Sequence, residues 1–315
     1  MSAQEASFMG GVAVPPSKSL TDKLAIERCP APDMVYIPLS QHIGAPAKPV
    51  VKPGDKVTIG QVIGEAGGFV STNVHASVSG TVIKIESRYM VHGMLAQCIV
   101  IKNDGQDTLC EDIKPRSEEE ITPELIRQVL RDKGIAGMGG AMFPTAVKYA
   151  PPKEGARPID TIVLNGIECE PFITADHRTL LECSDEIIQG LKYFLMASGA
   201  SQGIIGIEDN KPDAIALMEK KVASEPNIRV QVCAEKYPQG SEKHLIYATT
   251  GRTVPDRGLP ADVGVIVDNV GTAVAACRAI KTTFLCTREW LRSAATASRN
   301  RATTSCAWAP CSPMQ

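Results

Sequence analysis

Residues 161–168, TIVLNGIE, decide the fold: an apolar run, Ile162-Val163-Leu164, breaks off at Asn165 and Gly166 into polar text. Such a run, bounded by turn residues, reads as a fully buried strand that delivers its last side chains to a sheet edge. The same grammar repeats downstream. Residues 184–199 (SDEIIQGLKYFLMASG) are an amphipathic helix stopped by Gly199; 202–209 (QGIIGIED) are a strand; 211–225 are a helix beginning at Lys211-Pro212. Residues 228–234 (IRVQVCA), 242–251 (EKHLIYATTG), 262–269 (DVGVIVDN) and 271–280 (GTAVAACRAI) then read strand, helix, strand, helix. Strands alternating with helices imply parallel β-α units with helices on both faces, and ligands at the carboxyl ends of the strands. A leading helix over 122–134 has Thr122 as its cap, Pro123 at its first position and Gly134 as its stop. A Rossmann-like α/β domain is therefore expected over residues 121–280.

Upstream, the period changes. Residues 35–102 are short strands, with Val51-Lys-Pro-Gly-Asp-Lys-Val57 as a turn between two of them. This text resembles the lipoyl-type barrel-sandwich hybrid, a small all-β module of two quasi-repeated halves. Carrier domains of that type place a modifiable lysine at a hairpin tip. Here the corresponding stretch, residues 67–73 (GGFVSTN), has none, so a structural module is expected. His42 and His75 read as ordinary surface histidines with their hydrogen bonds satisfied. Residues 1–34 are expected as an extended arm, and residues 103–120, with their run of carboxylates, as a solvated linker.

Composition removes several function classes. The chain of 315 residues suggests about two domains. A net charge of −2 gives no reason to invoke nucleic acid or an anionic membrane surface. No apolar run approaches the ~20 residues of a transmembrane helix, and the amino terminus lacks a secretory pattern. The ten cysteines contain no C-x-x-C pair, so local motifs predict no metal site.

Residues 281–315 break the pattern. They hold both tryptophans and three of the ten cysteines, with no sustained periodicity. One choice of codons for this stretch reads in another frame as alternating β segments separated by turn residues. An irregular, frameshift-like tail is expected, and the last helix is expected to leave an apolar face exposed.

The chemistry sits in four loops. Residues 134–148 (GIAGMGGAMFPTAVK) bring Gly137, Gly139 and Gly140 together, so backbone N–H groups can approach an anion, with Lys148 beyond. On spacing alone this is neither a Walker motif nor a strict G-x-G-x-x-G, and a glycine-rich turn is an equal reading. Residues 165–170 (NGIECE), 236–243 (KYPQGSEK) and Asp268-Asn269 each follow a strand, so three polar clusters are expected at one sheet edge.

The segments GMGGAMFPTAVK, VLNGIECEPFITADHR, YPQGSEKHLI and VDNVGTAVA, with GGVAVPP and the text from Ile37, resemble RnfC, the C subunit of the Rnf ion-translocating electron transport complex. They resemble more distantly the FMN/NADH-binding subunit of respiratory complex I. The likeness runs from about residue 10 to 280. It implies that Gly137, Gly139, Gly140 and Lys148 hold FMN phosphate and ribityl groups, that Asn165 and Glu168 lie near the flavin ring, that Tyr237, Gly240 and Glu242 line the NADH and flavin side, and that Asn269 and Thr272 close the site. Two departures stand out: Met138 replaces an arginine of the complex I loop, and Asp268 an asparagine. The implied function is electron transfer with NAD(H) through FMN, in a translocase complex with membrane-embedded and ferredoxin-like subunits, at the cytoplasmic face of the bacterial inner membrane. No catalytic side chain is expected. The 4Fe-4S clusters of the family have no ligand motifs here, so a truncated, impaired form is expected. The competing readings are a non-enzymatic product and a partner-binding scaffold with an empty flavin site.

Overall fold

A computed structural model describes residues 6–28, 31–90, 93–151, 154–282, 288–292 and 303–307. Two compact units emerge: one formed by Tyr149–Cys277 together with the N-terminal arm up to Glu27, the other by Arg28–Lys148 with the end of the last helix. The fold class is the expected one, an all-β module and an α/β domain.

In chain order the β unit contains β1 (Ile26–Arg28, at its border), β2 (Met34–Pro38), β3 (Lys48–Pro49), β4 (Lys56–Val57), β5 (Val62–Glu65), β6 (Val74–His75), β7 (Gly80–Tyr89) and β8 (Leu95–Asn103). Two antiparallel sheets, β2-β8-β7-β4 and β3-β5-β6, close over one core. Val35, Ile37, Val57, Ile63, Val74, Val82, Ile99 and Ile101 fill it, all nearly inaccessible. Alternation does the sorting: Ile99 and Ile101 face this core while β8 runs on as a long hairpin with β7. The 67–73 tip is tied down by its own side chains. The Gly67 N–H donates to Ser71 Oγ (2.9 Å), and Ser71 Oγ donates to the Ala45 carbonyl (2.8 Å).

Both histidines depart from expectation, because strand-adjacent turns in a small barrel leave little surface. His42 is buried and sits between the N–H and the carbonyl of Thr72, both at 3.2 Å. His75 is buried too. Desolvation, helped by Lys133, pushes its pKa down to about 3. The 103–120 segment is likewise more than a solvated linker. The Ile59 N–H donates to Thr108 and the Cys110 N–H to Ile59, both at 2.9 Å, and Arg116 caps the last helix as described below.

Helix α1 (Pro123–Asp132) starts as the sequence dictates: Thr122 Oγ1 accepts the Leu125 N–H at 3.2 Å, with Pro123 in the first turn. The four-residue α2 (Thr145–Lys148) follows the glycine loop.

The α/β unit contains β9 (Thr161–Gly166), α3 (Ala175–Glu182), α4 (Ser184–Ser198), β10 (Gln202–Glu208), α5 (Pro212–Val222), β11 (Ile228–Cys233), α6 (Glu242–Thr250), β12 (Val265–Asn269) and α7 (Val270–Thr282). The four strands are parallel in the order β11-β10-β9-β12. In sequence order that is 3-2-1-4, so the direction of winding reverses between β9 and β12. The central strands are buried on both faces, as helices on two sides require. Gly199 and Gly251 end α4 and α6 in the left-handed region, where glycine has no Cβ penalty. One helix escaped the sequence reading: α3 is short and weakly amphipathic.

Helix α7 corrects another expectation. Its apolar residues from Val270 to Ile280 are buried, none more than 3 % exposed. In the α/β unit, α4 comes so close that a Cβ on Gly190 would run into the Ala273 carbonyl. The end of α7 is capped: Arg116 Nη1 donates to the Ala279 (3.2 Å) and Ile280 (2.8 Å) carbonyls, and the Arg116 N–H to Lys281 O (2.7 Å). Of the expected irregular tail, two five-residue strands are described, β13 (Arg288–Arg292) and β14 (Thr303–Ala307). The other residues beyond Thr282 lie outside the described set.

Candidate functional site

The carboxyl edge of the parallel sheet collects the polar residues expected of it. Asn165 and Asn269 end β9 and β12 and are direct register partners across the switch point. Neither side chain hangs loose. Asn165 Nδ2 donates to the Gly240 carbonyl (2.8 Å) and its Oδ1 accepts the Ile167 N–H (3.2 Å). It thereby ties the end of β9 to the loop after β11. Asn269 Oδ1 accepts the Gly271 N–H (2.7 Å), and its Nδ2 donates to Asp176 Oδ2 (2.8 Å). Thr272 is fully buried one turn into α7.

Glu168 has a role the sequence did not announce. It takes a left-handed backbone conformation (φ 54°), which costs a non-glycine residue about 1–3 kcal/mol. Its buried carboxylate accepts the N–H groups of Asp176 (2.8 Å) and His177 (3.3 Å). It caps α3 from outside, where the helix's own Thr174 makes no side-chain cap. Asp176 is half-buried beside it. Desolvation of its carboxyl, and then the neighbouring Glu168 charge, raise its pKa to about 8.

Beneath this edge lies a buried ion pair that sequence reading missed. Lys211 Nζ, wholly inaccessible, donates to the Ile167 carbonyl (2.7 Å), to Asn210 Oδ1 (2.9 Å) and to Glu208 Oε2 (3.2 Å). Burial raises the Glu208 pKa to about 6, against the opposing pull of Lys211. The available signal was the polar run Glu208-Asp-Asn-Lys211 at a strand's carboxyl end, the same rule that found Asn165. Asp268, buried, accepts the Tyr149 hydroxyl at 2.7 Å. That buried contact pushes the phenol well above its usual pKa, burial being the larger cause.

Tyr237 and Glu242 are exposed beside the edge, Tyr237 to 45 %. Gly240 is half-buried; a Cβ there would sit 3.5 Å from Cys169 Sγ and from Ile167. Seven of the expected site residues therefore share one unit: Asn165, Glu168, Tyr237, Gly240, Glu242, Asn269 and Thr272. Gly137, Gly139, Gly140 and Lys148 belong to the other. Their loop is a closed turn: Gly137 N–H donates to the Phe143 carbonyl (2.8 Å) and Thr145 N–H to Ile135 (2.9 Å). Gly139 has φ 75°, and Gly140 at the exposed tip has open space where a Cβ would be. Among the described residues no three His, Cys, Asp or Glu side chains are grouped to hold a metal.

Comparison with known proteins decides the family. The Nuo51 FMN-binding domain matches residues 130–278, and the RnfC barrel sandwich hybrid domain matches residues 6–106. The chain belongs to the RnfC family. Among its relatives, the C subunit of the Na(+)-translocating ferredoxin:NAD(+) oxidoreductase complex of Acetobacterium woodii is 45 % identical over 87 % of this chain and 61 % of its own length. The C subunit of the proton-translocating ferredoxin:NAD(+) oxidoreductase complex of Clostridium ljungdahlii is 45 % identical over 87 % of this chain and 60 % of its own length. The C subunit of the ion-translocating oxidoreductase complex of Rhodobacter capsulatus is 39 % identical over 88 % and 54 %. This RnfC-family chain thus spans about three fifths of the length of the first two. Among its described residues no helix is long and apolar enough to cross a membrane.

Proposed function

We infer that this RnfC-family chain binds FMN at the carboxyl edge of its parallel sheet and exchanges hydride there with NAD(H). The observation that supports the reading most is the register pairing of Asn165 and Asn269 at the switch point of a 3-2-1-4 sheet, inside the segment matched as an FMN-binding domain. Open α/β sheets take their ligands there. The donor set fits a flavin: neutral amides and backbone groups at the floor, an exposed tyrosine and carboxylate at the rim, and a glycine-lined approach at Gly240.

When bound, FMN supplies the two-electron acceptor. The protein's share is positional. Asn165 fixes the loop containing Gly240 against β9. Asn269 fixes the start of α3 through Asp176. Glu168 holds that helix in place, and Tyr237 and Glu242 flank the rim where a nicotinamide would enter. Gly137, Gly139, Gly140 and Lys148 are proposed to bind the cofactor's phosphate end, by backbone N–H groups and one fixed cation. No nucleophile or general base is required. The wider assignment is an electron-transfer subunit that works with membrane-embedded and ferredoxin-like partners at the cytoplasmic face of a bacterial inner membrane. It rests on the relatives' names.

The test is direct. The purified 315-residue chain is mixed with FMN, desalted, and examined for flavin absorbance, then for anaerobic bleaching by NADH. Retained flavin that NADH bleaches is the expected result, and Lys148→Ala is expected to lower the retained amount. A preparation that takes up no FMN would falsify the reading, and full retention in Lys148→Ala would remove the phosphate role of that lysine.

A further inference from the structure

The N-terminal arm runs across the very loops that form the candidate site. Ala6 pairs with β11: its N–H donates to Val232 O and its carbonyl accepts the Ala234 N–H, both at 3.0 Å. Val12 and Tyr237 exchange both backbone bonds, at 2.7 and 2.9 Å. Pro16 O accepts the Phe172 N–H at 2.8 Å, and Thr21 Oγ1 meets Thr174 Oγ1 at 2.7 Å. Between these ties sits Lys18. Its ammonium donates to the carbonyls of Glu168 (2.8 Å), Glu170 (3.1 Å) and Ile173 (2.6 Å). An ammonium has three N–H donors, and three carbonyls of one loop converge on it. That loop holds two non-glycine residues in the left-handed region, Glu168 (φ 54°) and Phe172 (φ 67°). Three carbonyl dipoles aimed at one point repel each other unless a cation stands there. The conformation of residues 168–173 is therefore not written in the loop alone.

We propose that Lys18 is a positioning residue of the flavin site: carried by the N-terminal arm, it sets the loop of residues 168–173 in the shape that receives the cofactor. This inference rests on the flavin reading above. Lys18 touches no cofactor in this scheme. It acts through Glu168, whose backbone it holds and whose carboxylate caps α3, and so through Asp176 and Asn269. Lys211 grips the preceding residue, at the Ile167 carbonyl, from far along the chain on the other side of the loop in sequence. The arm thus belongs to the binding machinery of the α/β unit, although in sequence it precedes the entire β module.

The experiment uses the intact chain as wild type, Lys18→Met and Thr21→Val. Methionine keeps the length of the side chain and removes the donors. Thr21→Val removes a different arm contact that makes no bond to residues 168–173. Amide hydrogen exchange is followed in the FMN-free proteins, and FMN dissociation constants are taken from quenching of flavin fluorescence, with melting temperatures recorded alongside. In Lys18→Met the amides of residues 168–177 are expected to exchange faster and FMN to bind about tenfold more weakly. Thr21→Val is expected to keep the wild-type constant. Unchanged exchange in Lys18→Met overturns the proposal. So does faster exchange with an unchanged FMN constant, or an equal loss of affinity in Thr21→Val. Wild-type protein that takes no FMN is a separate failure: it removes the flavin reading before any variant is compared.

Discussion

Asp176 is held in a place where its charge is unwelcome. Its carboxyl is desolvated next to Glu168, and its folded pKa of about 8 stands well above its ordinary 3.8. The sign of the consequence follows from linkage. The folded state keeps the proton between those two values while the unfolded chain has lost it. Stability from this group is complete below about pH 4 and declines as pH rises toward about 8. Asp176→Asn preserves an acceptor for Asn269 but cannot ionise. It should lose that pH dependence, so its melting temperature relative to wild type should rise from mildly acid to mildly alkaline buffer. A constant difference across the range would place the titration elsewhere. At this scale the sequence revealed Asn165 and Asn269, because both terminate apolar runs. It could not reveal Lys18 or Lys211, because nothing local couples residue 18 to residue 168; only the folded loop brings carbonyls to a lysine.

Elements were easier to read than contacts. The strands at 161–166, 202–208, 228–233 and 265–269 and the helices between them followed from periodicity and glycine stops. Helix α3 was not legible, since Thr174-Ala-Asp-His-Arg has no strong apolar face and the helix owes its start to Glu168, in the loop upstream of that cap. The Arg116 cap on α7 also escaped notice, because a capping residue 163 positions away leaves no local pattern. The tight spot between α4 and α7 shows how a single small residue sets an element's position. Gly190 lets α4 approach the Ala273 carbonyl to a separation no Cβ would tolerate. Helix propensity would favour alanine there by about 1 kcal/mol, but crowding against a backbone carbonyl opposes it, and overpacking typically costs about 1–3 kcal/mol. Gly190→Ala should therefore lower the urea midpoint with little change in slope. A neutral or raised midpoint would mean that the helices separate freely.

At the scale of the molecule, the chain leaves the α/β unit after Glu27 and re-enters it at Tyr149. Sequence reading assigned those first residues to a free arm because Pro and Gly dominate them and no period shows. Their order comes from partners far along the chain. One of those partnerships has a consequence for the whole protein. β11 is an edge strand of the parallel sheet, and Ala6 occupies its outer side at Val232 and Ala234. Lys236 adds a second fastening, donating to the Phe8 and Gly10 carbonyls and lying over the Phe8 ring at 4.0 Å. An uncovered parallel edge with valines in its centre is a template for strand addition. Removal of residues 1–11 leaves Lys18 and the 168–173 loop contacts in place but strips that cover. The shortened chain should show a rising average mass in light scattering across a concentration series where the intact chain's mass stays flat. If both chains behave alike, the edge is guarded by the twist and charges of β11 itself, and the first eleven residues are not its shield.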